Sequence, residues 1–358
     1  MTQTTRAKRD PDQPLRVAVA GVGRMGRHHA RVYGEISGCR LVGVCDPDEA
    51  AARQAGEDFG CPAFSGVEDM LQRAEVDAAS IVTPTARHRA VAEVLLPAGV
   101  DILVEKPLAP SANDAREIVA LARKHAAVLQ VGHTERFNPA LVALRPYELS
   151  PRYIDVQRIS PMTFRSIDIG VVLDLMIHDL DIVSHLVRSP VTNLAAVGVS
   201  VVGDHEDIAN ARLVFANGCV ANLTASRLAL KTERKMRLFS PNAYVTVDYQ
   251  RKSGVVIRRT ANEDELARVR QKVAAGDFAD LTQLNYPELV KYEELTVVDR
   301  EPLRAQLEAF LGSVRTGAEP EVTGDDGLIA VDLAARICHA ISEHQWGGVP
   351  ILPHGDAV

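Results

Sequence analysis

The feature that most constrains the fold is a glycine-rich segment near the start of the chain. An apolar run at Arg16–Ala20 leads directly into the segment 21–26, Gly-Val-Gly-Arg-Met-Gly, and a helical pattern follows to about Glu35. Between a strand and a helix, the pattern G-x-G-x-x-G is typical of the loop that holds the pyrophosphate of a dinucleotide. Glycine allows the tight turn, the close approach of the backbone and the close helix–strand packing that such a loop needs. The predicted cofactor residues of this loop are Gly21, Gly23, Arg24, Met25 and Gly26.

A carboxylate after the second predicted strand bears on the identity of the dinucleotide. The strand Leu41–Cys45 ends in Asp46, 20 residues after Gly26. A carboxylate in this position accepts hydrogen bonds from the adenosine ribose of NAD and repels the 2′-phosphate of NADP. The following residues, Pro47 and Asp48, supply no compensating cation, so we predict NAD as the cofactor. A second interpretation, that Asp46 caps the next helix, is compatible with the first.

Strands and helices keep alternating after Asp46, with apolar strands at Ala78–Val82, Asp101–Glu105 and Val128–Val131. Because helix-length segments separate the strands, we predict a doubly wound parallel sheet, a Rossmann-type α/β domain, over residues 15–134. Ligands of such sheets bind beyond the carboxyl ends of the strands. The predicted cofactor residues at these ends are Thr83, Pro84, Thr85, His88, Glu105 and Lys106.

Lys106 is a notable residue at these carboxyl ends, because the strand 101–105 ends in Glu105-Lys106-Pro107. A lysine at the carboxyl end of a buried strand is placed where ligands bind in α/β sheets. The alternative interpretation is that Lys106 is a solvated charge and that Pro107 only ends the strand. The tripeptide alone does not decide between the two.

A polar segment, residues 132–139, joins the first sheet to the rest of the chain, and we expect it to line an interdomain cleft. The planar guanidinium of Arg136 suits a phosphate or a carboxylate of a substrate. We therefore predict Arg136 and Asn138 as substrate-binding residues. An ion pair between Arg136 and Glu135 is the second interpretation.

A predicted helix within residues 164–187 carries Asp174 and His178. Residues four apart are neighbours on a helix, and a carboxylate beside an imidazole fixes the tautomer that a general base needs. We predict both residues to be catalytic and to contact the substrate. The competing interpretation is an ordinary surface or core histidine contact, which such a pair forms elsewhere.

From about residue 192 onward the pattern changes to consecutive strands separated by turn signals such as Asn217-Gly218. We predict an α+β domain with a large open, mainly antiparallel sheet over residues 135–358, and a flexible tail at residues 1–14. Basic residues crowd the stretch 231–237, which is interpreted as a solvated sheet edge or, alternatively, as a second anion contact.

The composition argues against several classes of function. The net charge is -7, and no basic run is interleaved with aromatic residues, so we expect no nucleic-acid partner. No apolar stretch approaches the roughly 18 residues of a membrane span, so we expect no membrane partner. The five cysteines lack C-x-x-C spacing, which predicts reduced thiols in a cytoplasmic protein. We expect no metal site, because no second His or Cys lies at helical spacing from His178.

Several of these motifs together resemble the Gfo/Idh/MocA family of sugar dehydrogenases over nearly the whole chain. The motifs are, in order, G-x-G-x-x-G, Asp46, Thr83-Pro84-Thr85-x-x-His88, Glu105-Lys106-Pro107 and Asp174-x-x-x-His178. The resemblance implies an NAD-dependent oxidoreductase with Lys106, Asp174 and His178 in the catalytic positions. It also implies a cis peptide bond before Pro107 and association through the second sheet, as a homodimer or homotetramer.

The segments 132–139 and 168–179 look like those of family members that oxidise the 3-hydroxyl of UDP-N-acetylglucosamine. Members that act on free cyclitols or aldoses more often carry a glycine-rich run where this chain has residues 167–172, Ile-Asp-Ile-Gly-Val-Val. The resemblance thus implies a sugar or UDP-sugar substrate, with inositol or free-sugar oxidation as the alternative. Some proteins of this fold are inactive NAD-binding sugar sensors, but those typically lack the lysine or the histidine that this chain has.

Overall fold

The structure is a computed structural model that describes residues 13–163, 169–260, 267–268, 270–271, 274–276, 290–346 and 349–350. The predicted tail lies outside these residues apart from positions 13 and 14. Residue 168, the first of the segment 168–179 that resembles UDP-sugar dehydrogenases, also lies outside them.

The amino-terminal sheet has six strands, all parallel, in the order β3-β2-β1-β4-β5-β6. The strands are β1 (Leu15–Ala20), β2 (Cys39–Cys45), β3 (Ala63–Phe64), β4 (Ala78–Ile81), β5 (Asp101–Glu105) and β6 (Leu129–Gly132). The connecting helices are α1 (Arg24–Glu35), α2 (Glu49–Phe59), α3 (Val67–Arg73), α4 (His88–Leu95) and α5 (Ala112–Lys124). This order is that of a dinucleotide-binding Rossmann fold, so the predicted doubly wound sheet is confirmed.

The second sheet has eight strands in the order β14-β13-β12-β11-β7-β10-β9-β8. Only β7 and β10 pair in parallel, so the predicted mainly antiparallel sheet is also confirmed. The strands are β7 (Tyr153–Ile159), β8 (Val191–Val199), β9 (Ile208–Phe215), β10 (Val220–Ser226), β11 (Glu233–Ser240), β12 (Ala243–Asp248), β13 (Ser253–Arg259) and β14 (Val290–Glu294). A short ladder, β15 (Gln345–Trp346) with β16 (Val349–Pro350), stands apart from both sheets.

One face of the second sheet forms the core of its domain. Along β9, Ala209, Ala211 and Leu213 are buried while the residues between them are exposed, as the two-residue period of a strand requires. The buried face packs against α7 (Ile177–Val187) and the short α6 (Pro139–Val142). The opposite face is left partly exposed to solvent.

Two helices near the end of the chain connect the two sheets. Helix α8 (Pro302–Thr316) buries Leu307 and Phe310 in the cluster beneath β1 and β2. Helix α9 (Gly324–Glu343) packs against both α5 and α7. The chain therefore returns to the dinucleotide-binding unit after the second sheet, and the division of the chain at residue 134 stays a prediction.

The basic stretch 231–237 does not form a sheet edge, so that interpretation is wrong. It begins β11, which is hydrogen-bonded to β12 on one side and to β7 on the other. Its cations have carboxylate neighbours: Lys235 pairs with Glu233 at 2.7 Å, and Arg237 lies 3.7 Å from Asp155.

All five cysteines are free thiols, of which Cys45 and Cys219 are buried. None of the helices in the described part of the chain is long and apolar enough to cross a membrane. In the same residues, no cluster of three or more His, Cys, Asp or Glu side chains could hold a metal ion.

Candidate active site

The glycine loop after β1 has the geometry of a dinucleotide cradle. Gly21 has a φ of +95°, and a side chain there would place its Cβ 2.6 Å from the carbonyl oxygen of Val82. A Cβ on Gly26 would overlap the carbonyl oxygen of Gly21, whereas one on Gly23 would meet nothing within 4 Å. Gly21 and Gly26 are thus required by packing, and Gly23 leaves open space in front of the first turn of α1. Arg24 and Met25 are exposed in that turn.

Asp46 is held against this loop. Its Oδ2 accepts a hydrogen bond of 2.9 Å from the backbone nitrogen of Val22, and its Oδ1 accepts one of 3.0 Å from Asp48. The residue that caps α2 is Asp48, which accepts from the backbone nitrogens of Ala50 and Ala51. The interpretation of Asp46 as the helix cap is therefore wrong. Each carboxylate oxygen has a further lone pair, so the half-buried Asp46 fits the hydroxyls of a ribose.

The segment after β4 offers one more group to a ligand. Thr83 is half-buried, and its Oγ1 is buried without a hydrogen-bond partner. Pro84 is exposed, and Thr85 begins a single 3₁₀ turn, Thr85–Arg87. A buried hydroxyl without a partner costs free energy unless a ligand or water satisfies it. The loop, Asp46 and Thr83 together fit a bound dinucleotide.

His88 was predicted to contact the cofactor, but it is buried and holds backbone instead. Its Nε2 lies 3.0 Å from the carbonyl oxygen of Thr83, and its Nδ1 lies 3.1 Å from that of Pro107 and 3.3 Å from that of Leu108. Burial lowers the pKa of this imidazole, despite the opposing effect of the carbonyl oxygens. The His88 side chain thus links the segment after β4 to the turn after Lys106. The peptide bond between Lys106 and Pro107 in that turn is cis, as the resemblance implied.

Glu105, also predicted to bind the cofactor, is buried in a polar network below the site. Its Oε1 lies 3.1 Å from Nε2 of His29 and accepts a 3.4 Å hydrogen bond from Gln306, and its Oε2 accepts one of 3.3 Å from the backbone nitrogen of Lys106. Burial alone would raise the pKa of Glu105, but the hydrogen bonds and charge of His29 and the Lys106 nitrogen outweigh it and lower the pKa. A Cβ on Gly132 would lie 2.5 Å from Oε1. Glu105 is therefore an ionised support beneath Lys106.

The Lys106 side chain crosses from the first domain to the second. Its Nζ donates a hydrogen bond of 2.9 Å to the backbone oxygen of Asp174 and lies 3.6 Å from the Oδ1 of the same residue. Both side chains remain partly accessible, at 21% and 29% of their surface. Burial lowers the pKa of Lys106, and the negative charges of Asp174 and Glu105 offset part of that effect. The structure thus brings the lysine and the aspartate of the two distant motifs together.

The predicted contact between Asp174 and His178 is not formed. Val172–Met176 is a π-helical turn, with bonds from residue i to i+5, which spaces residues differently from the α-helix on which the prediction relied. Among the described residues no hydrogen bond joins the two side chains, and the Nδ1 of His178 is buried without a partner. Asp174 orients the lysine rather than the imidazole.

His178 is the second residue of α7 and has a cationic environment. Burial, followed by the positive charges of Lys106 and Arg158, lowers its pKa well below the ordinary value of 6.5. The imidazole is consequently neutral near pH 7. A neutral imidazole accepts a proton, which is the property required of a general base.

Two buried ion pairs fix helix α7 in place. Asp179 accepts hydrogen bonds of 2.7 and 2.8 Å from Arg158 on β7, and Asp181 accepts bonds of 2.7 and 3.0 Å from Arg136. All four side chains are at most 3% exposed. Both pairs are bidentate, which gives them directional rigidity as well as charge compensation. His178 lies immediately before the first of the two anchored aspartates.

The contacts of Arg136 and Asn138 do not favour the predicted role in substrate binding. Arg136 is engaged by Asp181, and the alternative ion pair with Glu135 is wrong, since Glu135 faces Arg158 and Arg234 instead. Asn138 caps α6 through the nitrogen of Ala140 and donates to the carbonyl oxygen of Tyr249 at 3.2 Å. Both residues hold the connection between the domains.

The sequence places His133 at the carboxyl end of a strand but gives no role to it or to other polar residues that the fold buries around the site. His133 is fully buried, neither of its ring nitrogens has a partner among the described residues, and its ring lies edge-on to that of His178 at 6.5 Å. His29 and Gln306 reach Glu105 from α1 and α8, which are far apart in sequence. One available signal was the pattern His178-Asp-Leu-Asp181, because two aspartates within an apolar helix require buried cationic partners.

A Rossmann domain with a cofactor cradle, joined to an open-sheet domain that places a histidine beside a lysine, defines a dinucleotide-dependent oxidoreductase. The sequence agrees with this class. Residues 15–133 match the Gfo/Idh/MocA model described as an oxidoreductase family with an NAD-binding Rossmann fold, and residues 155–245 match the C-terminal domain of the same family. The chain belongs to the Gfo/Idh/MocA family, and its cofactor is NAD.

Individual relatives extend the similarity to the whole chain. UDP-N-acetylglucosamine 3-dehydrogenase from Acidithiobacillus ferrooxidans is 38% identical over 301 residues, covering 84% of this chain and 88% of the relative. The crystal structure of that species' enzyme superimposes with a TM-score of 0.80 at 34% identity, over 91% of this chain and 97% of the other. An inositol 2-dehydrogenase from Rhizobium meliloti is 26% identical over 345 residues, covering 92% of this chain and 97% of the relative.

Replacing Asp46 by alanine tests its assignment to the ribose. We expect NAD⁺ to bind about tenfold more weakly or worse, because hydrogen bonds to an ionised acceptor contribute roughly 1.5–3 kcal/mol. Calorimetric titration of the purified variant measures this. The matched control is Asp48→Ala, which removes the cap of α2 at a cost of about 1 kcal/mol in stability and should leave NAD⁺ affinity unchanged. Equal affinities for the Asp46→Ala variant and the unmodified protein would contradict the assignment.

Proposed function

We propose that this protein oxidises the 3-hydroxyl of UDP-N-acetylglucosamine to the 3-keto sugar with NAD⁺. The observation that carries the proposal is the contact between Lys106, which follows β5, and Asp174, which lies in the π-helical turn before α7. This contact gathers an amine, a carboxylate and the neutral imidazole of His178 at the carboxyl edge of the first sheet.

His178 is the proposed general base of the oxidation. Its pKa lies well below 6.5, so it is unprotonated at neutral pH and ready to take the proton of a secondary hydroxyl. The positive charges of Lys106 and Arg158 disfavour the imidazolium that results, so the proton leaves the site readily. In the reverse direction the same imidazole delivers a proton to the oxygen of a ketone.

Lys106 is the proposed electrostatic partner of the reacting oxygen. Its ammonium group is held by the backbone oxygen and the carboxylate of Asp174, and it retains a third donor for the oxygen from which the proton is removed. A cation fixed in a partly desolvated site stabilises the negative charge that develops on that oxygen. The positions of Gly23, Asp46 and Thr83 suit a bound NAD⁺, which supplies the acceptor for the hydride of the carbinol carbon.

The sugar nucleotide is favoured by the relatives and by the charge of the site. The Acidithiobacillus ferrooxidans enzyme, named for UDP-N-acetylglucosamine, matches this chain over 84% of its length. Arg234 is a candidate for the diphosphate, because its side chain is 39% exposed and its positive charge acts on the pKa of His178. Inositol oxidation is the second candidate, because the Rhizobium meliloti inositol 2-dehydrogenase matches 92% of this chain.

The exposed face of the second sheet is the proposed contact between subunits of a homodimer or homotetramer. Three aromatic rings, those of Tyr153, Phe239 and Tyr244, form a row across it with centroid separations of 5.7 and 4.8 Å. Phe239 is 41% exposed although it lies in the middle of the sheet. Tyr153 and Tyr244 are half-buried. A cluster of partly exposed aromatic residues is typical of an association surface.

The substrate assignment is tested by following NADH formation with UDP-N-acetylglucosamine and, separately, with myo-inositol. We expect turnover with the sugar nucleotide, with an added 2-oxo acid or an aminotransferase to consume the product if equilibrium limits the reaction. Faster oxidation of myo-inositol than of UDP-N-acetylglucosamine would overturn the substrate assignment.

Lys106→Met should bind NAD⁺ with unchanged affinity while kcat falls by about 100-fold or more, in line with the loss of one electrostatic donor. Full activity of Lys106→Met would overturn the role proposed for Lys106.

The pH dependence of kcat/KM reports the two titrating groups. Activity requires neutral His178, so it should fall at acidic pH with an apparent pKa below 6.5. It also requires charged Lys106, so it should fall at alkaline pH with an apparent pKa below 10.5. In Lys106→Arg the alkaline limb should disappear from the measurable range, since arginine stays charged. An alkaline limb that is the same in both proteins would show that another group titrates.

A further inference from the structure

A groove of about 840 Å³ lies at the carboxyl end of α7, whereas His178 is near the amino end of that helix. Its walls come from the segment after α6, from the carboxyl end of α7 and from the turn between β9 and β10. Ten residues of helix separate Arg188, in the groove, from His178, which corresponds to roughly 15 Å at 1.5 Å per residue. The groove is therefore separate from the site described above.

A buried arginine forms part of the groove lining and has an unused donor. The Arg136 side chain is only 2% exposed, and its Nε and Nη2 bind Asp181, with Asp326 3.4 Å from Nη2. Its Nη1 is buried and has no hydrogen-bond partner among the residues that the structure describes. Each unpaired buried guanidinium N–H carries a desolvation cost that an acceptor in the groove would remove. The ion pair between Arg136 and Asp181 thus leaves the Nη1 group of the guanidinium for a ligand.

Two further arginines stand at the rim of the groove. Arg152 and Arg188 are exposed. Arg152 donates to the backbone oxygen of Asn217 at 3.5 Å, and Arg188 donates to that of His185 at 3.4 Å. In the described part of the chain neither of them pairs with a carboxylate. Arg145, in contrast, pairs with Glu321. Burial lowers the pKa of His185 to about 4, so its ring is neutral and serves as a hydrogen-bonding group.

The rest of the groove lining is mostly apolar, with Glu148 and Ser150 as its polar members. Leu149 and Leu186 are half-buried in this wall, whereas the ring of Tyr147 is covered by the guanidinium of Arg258, 5.8 Å from the ring centroid. The volume falls within the range of roughly 300–1,000 Å³ that is usual for small-molecule sites. Guanidinium groups bind phosphate oxygens in pairs and stack on planar rings, which suits a ligand with both features.

We propose that this groove binds a nucleoside phosphate, with the phosphate at Arg136, Arg152 and Arg188 and the base against the apolar wall of Leu149 and Leu186. The proposal does not depend on the identity of the sugar oxidised at the catalytic site. The site is distinct in position and in ligand, because the groove lies outside the cofactor cradle and at the opposite end of α7 from His178.

The test is calorimetric titration of AMP, UMP and inorganic pyrophosphate into the full-length protein with its cofactor site filled by NAD⁺. The groove variant is Arg152→Gln combined with Arg188→Asn, where asparagine is chosen because Arg188 has a φ of +50°. The control is Arg123→Gln combined with Arg251→Gln, which changes the charge equally at side chains that are 68% and 84% exposed. Arg136 itself is left intact, since its removal would leave Asp181 buried and unpaired.

We expect at least one nucleotide to bind, with affinity at least about tenfold lower in the groove variant and unchanged in the control. Unchanged NADH formation in both variants would show that they are folded and that the groove is separate from the catalytic site. Three results would overturn the proposal: none of the three probes binds, both variants lose binding equally, or the groove variant changes the sedimentation coefficient without losing nucleotide. The last result would mean that the groove is a contact between copies of the chain.

Discussion

The structure depends on one buried carboxylate, that of Glu105. It lies where β5 ends, and it receives hydrogen bonds from α1, through His29, and from α8, through Gln306. The same carboxylate accepts from the backbone nitrogen of Lys106, so the direction in which the lysine leaves the sheet is tied to an ionised group in the core. A buried charge of this kind is tolerated only when its lone pairs are satisfied. Helix α8, which returns to the first domain, supplies one of these hydrogen bonds through Gln306.

The second domain is fixed with comparable rigidity. The paired arginines and aspartates on either side of α7 are almost fully buried, and removing one partner from such a pair is expected to cost about 3–5 kcal/mol. Because Arg158 belongs to β7 and Arg136 to the interdomain connection, the position of His178 follows from both the sheet and the hinge. Lys106 then contacts the π-helical turn that precedes His178, so the groups proposed to be catalytic come from two domains, each of which holds its own group firmly.

Much of this arrangement is predictable from the sequence, and the failures have local causes. The glycine loop, the strand ends and the alternating strands depend on short-range patterns, and the structure agrees with them. Asp174 and His178 were paired on the assumption of α-helical spacing, which a π turn breaks. Arg136 was assigned to the substrate because nothing near it in sequence revealed Asp181 as its partner. Strand β14 was not predicted, because three of the five residues of Val290-Lys-Tyr-Glu-Glu294 are charged. The contacts of α8 with the first domain could not be predicted, because the residues against which it packs are almost 300 positions away in sequence.

The most direct test of the account is the pH profile of kcat/KM for Glu105→Gln. The negative charge of Glu105 raises the pKa of Lys106, so neutralising it should shift the alkaline limb to lower pH. The acidic limb, which reports His178, should stay in place and serves as an internal reference. A uniform loss of activity with both limbs unmoved would contradict the claim that an ionised Glu105 sets the properties of the catalytic lysine.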